Sequence, residues 1–150
     1  MTVSGKSVFA GTTGGGVFLS TNNGTSWKAV NSGLPKYTVD ALVANGVNLF
    51  AATDGGGVYL STNNGTSWKA IKNGLYMANV SSLAISGNHL FAGRDSYGIS
   101  LSTDNGAHWA TLNYNLRGYG VRAVLASGTN IFARTKTVCF YLTTLPRCGE

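Results

Sequence analysis

The chain repeats itself at a spacing of about 41 residues, so its fold has to reproduce one structural unit several times over. Three copies of one motif set the register: Ser20–Trp27 (STNNGTSW), Ser61–Trp68 (STNNGTSW) and Ser102–Trp109 (STDNGAHW). The pairs Phe9-Ala10, Phe50-Ala51, Phe91-Ala92 and Phe132-Ala133 keep the same spacing, as do Val39–Leu42, Val80–Leu83 and Val121–Val124. More than half of the positions of the first and second units are identical. A unit of this size cannot bury both of its apolar faces alone, and stacking on neighbouring units is what stabilises it.

Inside a unit, apolar and β-branched runs of four to six residues alternate with Gly and Asn punctuation, which predicts four short strands. In the second unit these are Val39–Ala44, Leu49–Thr53, Gly57–Ser61 and Ser67–Ile71. No window places apolar residues at helical spacing, so helix is excluded. A composition with 21 Gly, two Pro and only 11% charged residues suits short strands joined by tight turns.

The motif accounts for its own residues. The short polar side chain at Asn22, Asn63 or Asp104 is placed to accept backbone N–H groups across a hairpin, beside Ser20, Ser61 or Ser102. Gly24, Gly65 and Gly106 supply the positive φ of the turn. Trp27, Trp68 and Trp109 are expected to plug the apolar space between units. Folding explains every one of these positions, including Asp104, the single carboxylate among them.

With these residues in place, the sequence resembles the Asp-box, or bacterial neuraminidase repeat, β-propellers. That group includes sialidases, sortilin-type receptors and photosystem II assembly factor-like proteins. The resemblance implies an all-β fold of β-propeller blades, each of four antiparallel strands, with about 3.5 to 4 blades in this chain. The units run about 1–38, 39–79, 80–120 and a partial 121–143, with 144–150 as a C-terminal tail. Met1–Ser4 matches only the tail of a first strand, and Thr144–Glu150 carries neither the motif nor a Trp. A tight four-bladed ring, a ring made by two or more chains, or an arc of a longer propeller would each satisfy this count. Self-association or a missing remainder is the favoured expectation, because an open arc exposes apolar faces and strand edges.

Enzymes of the resembled group work on the face opposite the Asp-box turns, near the propeller axis. The corresponding loops are Thr12–Gly16, Thr53–Gly57, Arg94–Gly98 and Thr135–Val138 after the second strands, with Asn31–Thr38, Lys72–Asn79 and Asn113–Gly120 after the fourth. Here the units diverge. Asp40, Ser81 and Arg122 share one repeat position; Thr13, Asp54, Asp95 and Lys136 share another; Tyr37 and Tyr119 share a third, with Tyr76, Tyr97 and Arg117 nearby. Divergence at equivalent positions marks either a candidate ligand face or relaxed surface drift, in which scattered Tyr and Arg side chains need no functional account.

Catalytic patterns are thin. Sialidase chemistry needs three converging arginines and a Tyr–Glu pair; Arg94, Arg122 and Arg134 are the candidates for the first, but the only Glu is Glu150. Asp40 and Asp54 fall in the second unit and Asp95 in the third, and their spacing gives no local motif for paired-carboxylate hydrolysis. Gly14–Gly16 and Gly55–Gly57 precede no helix and are not phosphate loops. No catalytic residue, cofactor or metal site is assigned, since Cys139, Cys148, His89 and His108 do not form a ligand set. Cys139 and Cys148 would permit one local disulfide.

The net charge of +6 is scattered without a run or stripe, which argues against nucleic acid. No apolar stretch is long enough to span a bilayer, and Met1–Lys6 lacks the core of a signal peptide; the resemblance favours an extracellular or periplasmic location. The leading expectation is a non-catalytic segment that binds or scaffolds a protein or glycan partner through the axial loops. The alternatives are a fragment of a carbohydrate-active, sialidase-like enzyme and a purely structural repeat module.

Overall fold

The computed structural model describes residues 1–75, 79–112, 116 and 118–142. Every regular element among them is a strand, and each sheet is built from consecutive strands in an antiparallel meander. The first sheet holds β1 (Thr2–Ser4), β2 (Ser7–Thr12), β3 (Gly16–Ser20) and β4 (Lys28–Ala29). The second holds β5 (Val39–Asn45), β6 (Asn48–Thr53), β7 (Gly57–Ser61) and β8 (Lys69–Ala70). The third holds β9 (Val80–Ser86), β10 (His89–Arg94), β11 (Gly98–Ser102) and β12 (Ala110–Leu112). The fourth, described over three strands, holds β13 (Ala123–Ser127), β14 (Asn130–Arg134) and β15 (Cys139–Leu142).

The first strands of successive sheets lie against one another, β1 on β5, β5 on β9 and β9 on β13, while the outer strands stay apart. This places the first strands at the centre of an arc of blades, the architecture of a partial β-propeller. The outermost strands are shorter than expected: Ser67–Ile71 yields only Lys69–Ala70, because Trp68 leaves the sheet to bond the neighbouring blade. The inner strand of the fourth blade begins at Ala123 rather than Val121, since the Val121 N–H is taken by Arg94 O of the third blade.

Three apolar cores fill the three joints between consecutive blades. Strand alternation feeds both sides of each sheet: in β6, Leu49 and Ala51 face the first blade, while Phe50 and Ala52 face the third. Phe9, Phe50 and Phe91 are fully buried at the same repeat position. Each such burial stabilises the stack by roughly 1.5–3 kcal/mol.

The three Ser–Asn/Asp–Gly turns fold alike. Ser20 Oγ accepts the Gly24 N–H at 2.9 Å and donates to Asn22 Oδ1 at 3.0 Å, which in turn accepts the Ser26 N–H at 2.9 Å. Ser61, Asn63 and Gly65 repeat the arrangement, as do Ser102, Asp104 and Gly106. Asn23, Asn64 and Asn105 enter the left-handed region with the glycines that follow them, which is why Asn-Gly recurs here.

Trp68 and Trp109 bind each blade to the one before it. The Trp68 N–H donates to Ser32 O and its indole Nε1–H to Val30 O, both at 2.8 Å; Trp109 does the same to Asn73 O and Ile71 O. Gly33 and Gly74 lie so close to the Trp68 and Trp109 carbonyls that a Cβ would collide with them. Trp27 departs from the expectation that all three indoles are plugs. It is 39% exposed against 6% for the other two, and its Nε1–H turns back to Gly24 O of its own turn. The reason is geometric: among the described residues no sheet packs on that side of the first blade to receive it.

Candidate functional site

Two features of the backbone shape the axial end of the blades. The register of β5 on β6 slips between Val39 and Ala41, leaving Asp40 opposite no partner, and the same slip in the third blade isolates Ser81. These are β-bulges, which re-aim a side chain at the edge of a sheet. The connection from each blade also caps the next hairpin, since the Asp54 N–H donates to Thr38 O and the Asp95 N–H to Asn79 O.

The candidate residues reach different ends. Asp40 and Asp54 are exposed, Asp95 is half-buried, and Arg122 Nη1 lies 3.4 Å from Asp95 Oδ1. Partial burial raises the Asp40 carboxyl above its ordinary pKa; the charges of Asp54 and Asp95 raise it further and Arg122 opposes them. These four side chains, from the second, third and fourth blades, therefore share one electrostatic field. Beside them Asp95, Tyr119, Arg122, Thr135 and Lys136 line an open cleft of about 450 Å³ between the third and fourth blades. Tyr119 leans on Phe140 with ring centroids 5.9 Å apart and keeps an exposed edge.

Other candidates stand apart from the cleft. Tyr37 lies over the Gly55–Gly57 turn of the second blade, exposed on one side. Ser81 is half-buried and donates its hydroxyl to Val121 O, tying the third blade to the fourth. Tyr97 is exposed and stacks against the Arg94 guanidinium at 5.1 Å. Tyr76 and Arg117 lie outside the described residues, as do Cys148 and Glu150; Cys139 is exposed on the fourth blade.

The three arginines do not converge. Arg94 is buried within the third blade and donates to Tyr97 O and Thr111 Oγ1, both at 3.1 Å; burial lowers its pKa, partly offset by Tyr97. Arg134 lines the outer face of the fourth blade, and only Arg122 enters the axial cleft. Arg94 stands where Thr12 and Thr53 close their own hairpins, so a residue weighed as one of three converging arginines is an internal tie. The repeat alignment held the signal, a long side chain at a position otherwise occupied by a small buried one.

No protein-family model matches the chain, and no curated protein is detectably similar to it in sequence. Solved structures are similar in fold. An ancestral GH74 enzyme superposes with a TM-score of 0.76 at 20% identity, over 94% of this chain and 22% of that one. The GH74 xyloglucanase from Xanthomonas campestris gives 0.72 at 16% identity, over 94% and 27%. The computationally designed Ika4 protein gives 0.74 at 12% identity, over 96% and 89%. The chain thus spans about a fifth to a quarter of the enzymes' length and most of the designed chain. At these identities the likeness carries the β-propeller fold alone.

Among the described residues, no three His, Cys, Asp or Glu side chains are gathered as a metal site. No described helix is long and apolar enough to cross a membrane.

Proposed function

We propose that this chain is a non-catalytic β-propeller segment that binds or scaffolds a partner through the axial cleft between its third and fourth blades. One observation carries the reading. The units agree at the Asp-box turns and differ at the axial end, where Asp40, Asp54, Asp95 and Arg122 share one field beside an open cleft. An exposed Tyr edge with a cation and carboxylates around it suits a glycan, whose ring stacks on Tyr119 while its hydroxyls bond Asp95, Arg122 and Lys136. A polar protein loop is the other occupant this chemistry would accept. Calorimetric titration with neutral and uronic-acid oligosaccharides tests the glycan form. The expected result is binding that weakens at least about tenfold in both Tyr119→Ala and Arg122→Ala, about 1.4 kcal/mol. Binding that ignores both variants would remove the cleft from the reading.

A second reading, part of a carbohydrate-active enzyme, is favoured by one specific observation. Asp40 is a carboxyl with a raised pKa held near two further carboxylates, the arrangement from which a general acid and its partner are made. GH74 enzymes, one of them a xyloglucanase, share the fold. Release of reducing ends from xyloglucan by the wild type, abolished in Asp40→Asn, would establish this reading over the first. No binding and no hydrolysis would leave the structural repeat module.

A further inference from the structure

Each inner joint mates two different faces. The leading face of one blade offers Phe50 and Val58, and the trailing face of the next answers with Leu90, Ala92 and Trp109. The joint between the third and fourth blades repeats this with Phe91 and Ile99 against Ile131 and Ala133. Phe50, Val58 and Leu90 are essentially excluded from solvent. The outer faces are more open, although Val8 and Ala10, which stand for Leu90 and Ala92 in the first blade, are half-buried. On the leading face of the fourth blade, Phe132 is 41% exposed and Leu125 62%, beside exposed Tyr141, and they line an apolar recess of about 310 Å³. On the trailing face of the first blade, Val3 is 63% exposed and Trp27 lies open. These faces carry the same kind of residues as the joints the chain makes three times, and among the described residues the fourth blade makes no extensive contact with the first.

We propose that the leading face of the fourth blade receives the trailing face of the first blade of a second copy of this chain, head to tail. Two such joints close a ring of two chains and eight blades, at the upper end of the usual propeller range. A joint of this type is heterologous, so it closes only when both chains contribute both faces. Ring closure surrounds the axial end on all sides, yet the joint stands independently of any ligand read into the cleft.

The test is the solution mass of the 150-residue chain by light scattering across about 1–100 µM, a span that brackets micromolar association, with Phe132→Asp and Trp27→Asp as variants. The expected wild-type mass is twice the 15.6 kDa of one chain. Each variant alone is expected to be monomeric, and an equimolar mixture of the two is expected to recover a dimer, because one intact joint is restored. Both positions are exposed in the single chain, so circular dichroism melts of the monomeric variants are expected to retain the β fold; Val3→Asp probes the first-blade face without touching the Asp-box turn. A wild-type monomer at the highest concentration would overturn the proposal. So would a polydisperse larger species, which denies closure, or a dimer that survives Trp27→Asp, which denotes a symmetric pairing of fourth blades. The mass reads this joint and the calorimetry reads the cleft, so either fails without the other.

Discussion

The repeated Ser–Asn/Asp–Gly turns and the axial loops belong to the same blades and answer to different demands. At the turns three units make the same serine-to-glycine and serine-to-Asn/Asp bonds, and Trp68 and Trp109 carry the result into the preceding blade. At the axial end the units share a backbone and little else: Asp40 stands on a bulge where Ser81 bonds the next blade, and Arg122 pairs loosely with Asp95. A motif that repeats is holding the stack, whereas positions that repeat in space but not in chemistry are free to serve a ligand.

That contrast is broken most severely at the indoles. Trp68→Ala removes a buried ring and leaves Val30 O without its indole partner, for an expected loss of about 3–5 kcal/mol. Tyr119→Ala, at an exposed axial position, is expected to cost less than about 1 kcal/mol of stability. Urea denaturation of both variants at one chain concentration checks the pair; equal losses would mean that the axial end is as structural as the turns.

A smaller effect sharpens the same contrast at single hydroxyls. Ser61→Ala strands the buried Gly65 N–H and unties Asn63, and is expected to cost about 1–3 kcal/mol. Ser96→Ala, exposed at the cleft, is expected to stay within about 0.5 kcal/mol of the wild type. Thermal melts of the two proteins separate these outcomes.

Sequence reasoning reached the turns more completely than the site, for a physical reason. The turn motif is local: Ser20, Asn22 and Gly24 close their bonds within four residues, so spacing alone exposes the mechanism. The axial site is assembled from three blades and depends on where each side chain leaves the backbone. The bulges at Asp40 and Ser81 do not show in hydrophobic alternation, and neither does the inward turn of Arg94. Trp27 carries the opposite lesson. Its motif is identical to that around Trp68, and only the missing neighbour distinguishes an exposed indole from a plug.

The smallest expected effect is one of pH, and here the two ends of the blade act in opposite directions. In the third turn, Asp104 and His108 replace the Asn–Ser pairs of the first two, with Asp104 Oδ2 lying 2.6 Å from His108 Nδ1. Partial burial raises the Asp104 pKa, but hydrogen bonds from the His108 amide, the His108 ring and the Ser102 hydroxyl, together with the His108 charge, outweigh it and hold the carboxyl at about 2. The folded pKa is below the unfolded one, so this contribution is present above about pH 4 and is lost as pH falls towards about 2. Asp40 is raised, so its charged form disfavours the fold, and protonation on the acid side relieves that cost. Asp104→Asn, which restores the residue of the other turns, is therefore expected to lessen the loss of melting temperature below pH 4, while Asp40→Asn is expected to stabilise the protein at neutral pH and to steepen its relative loss in acid. Melting curves from about pH 7 to pH 2 decide it. Parallel curves for the two variants would mean that the carboxylates feel the same environment, and the distinction between a satisfied turn and an open axial field would fall.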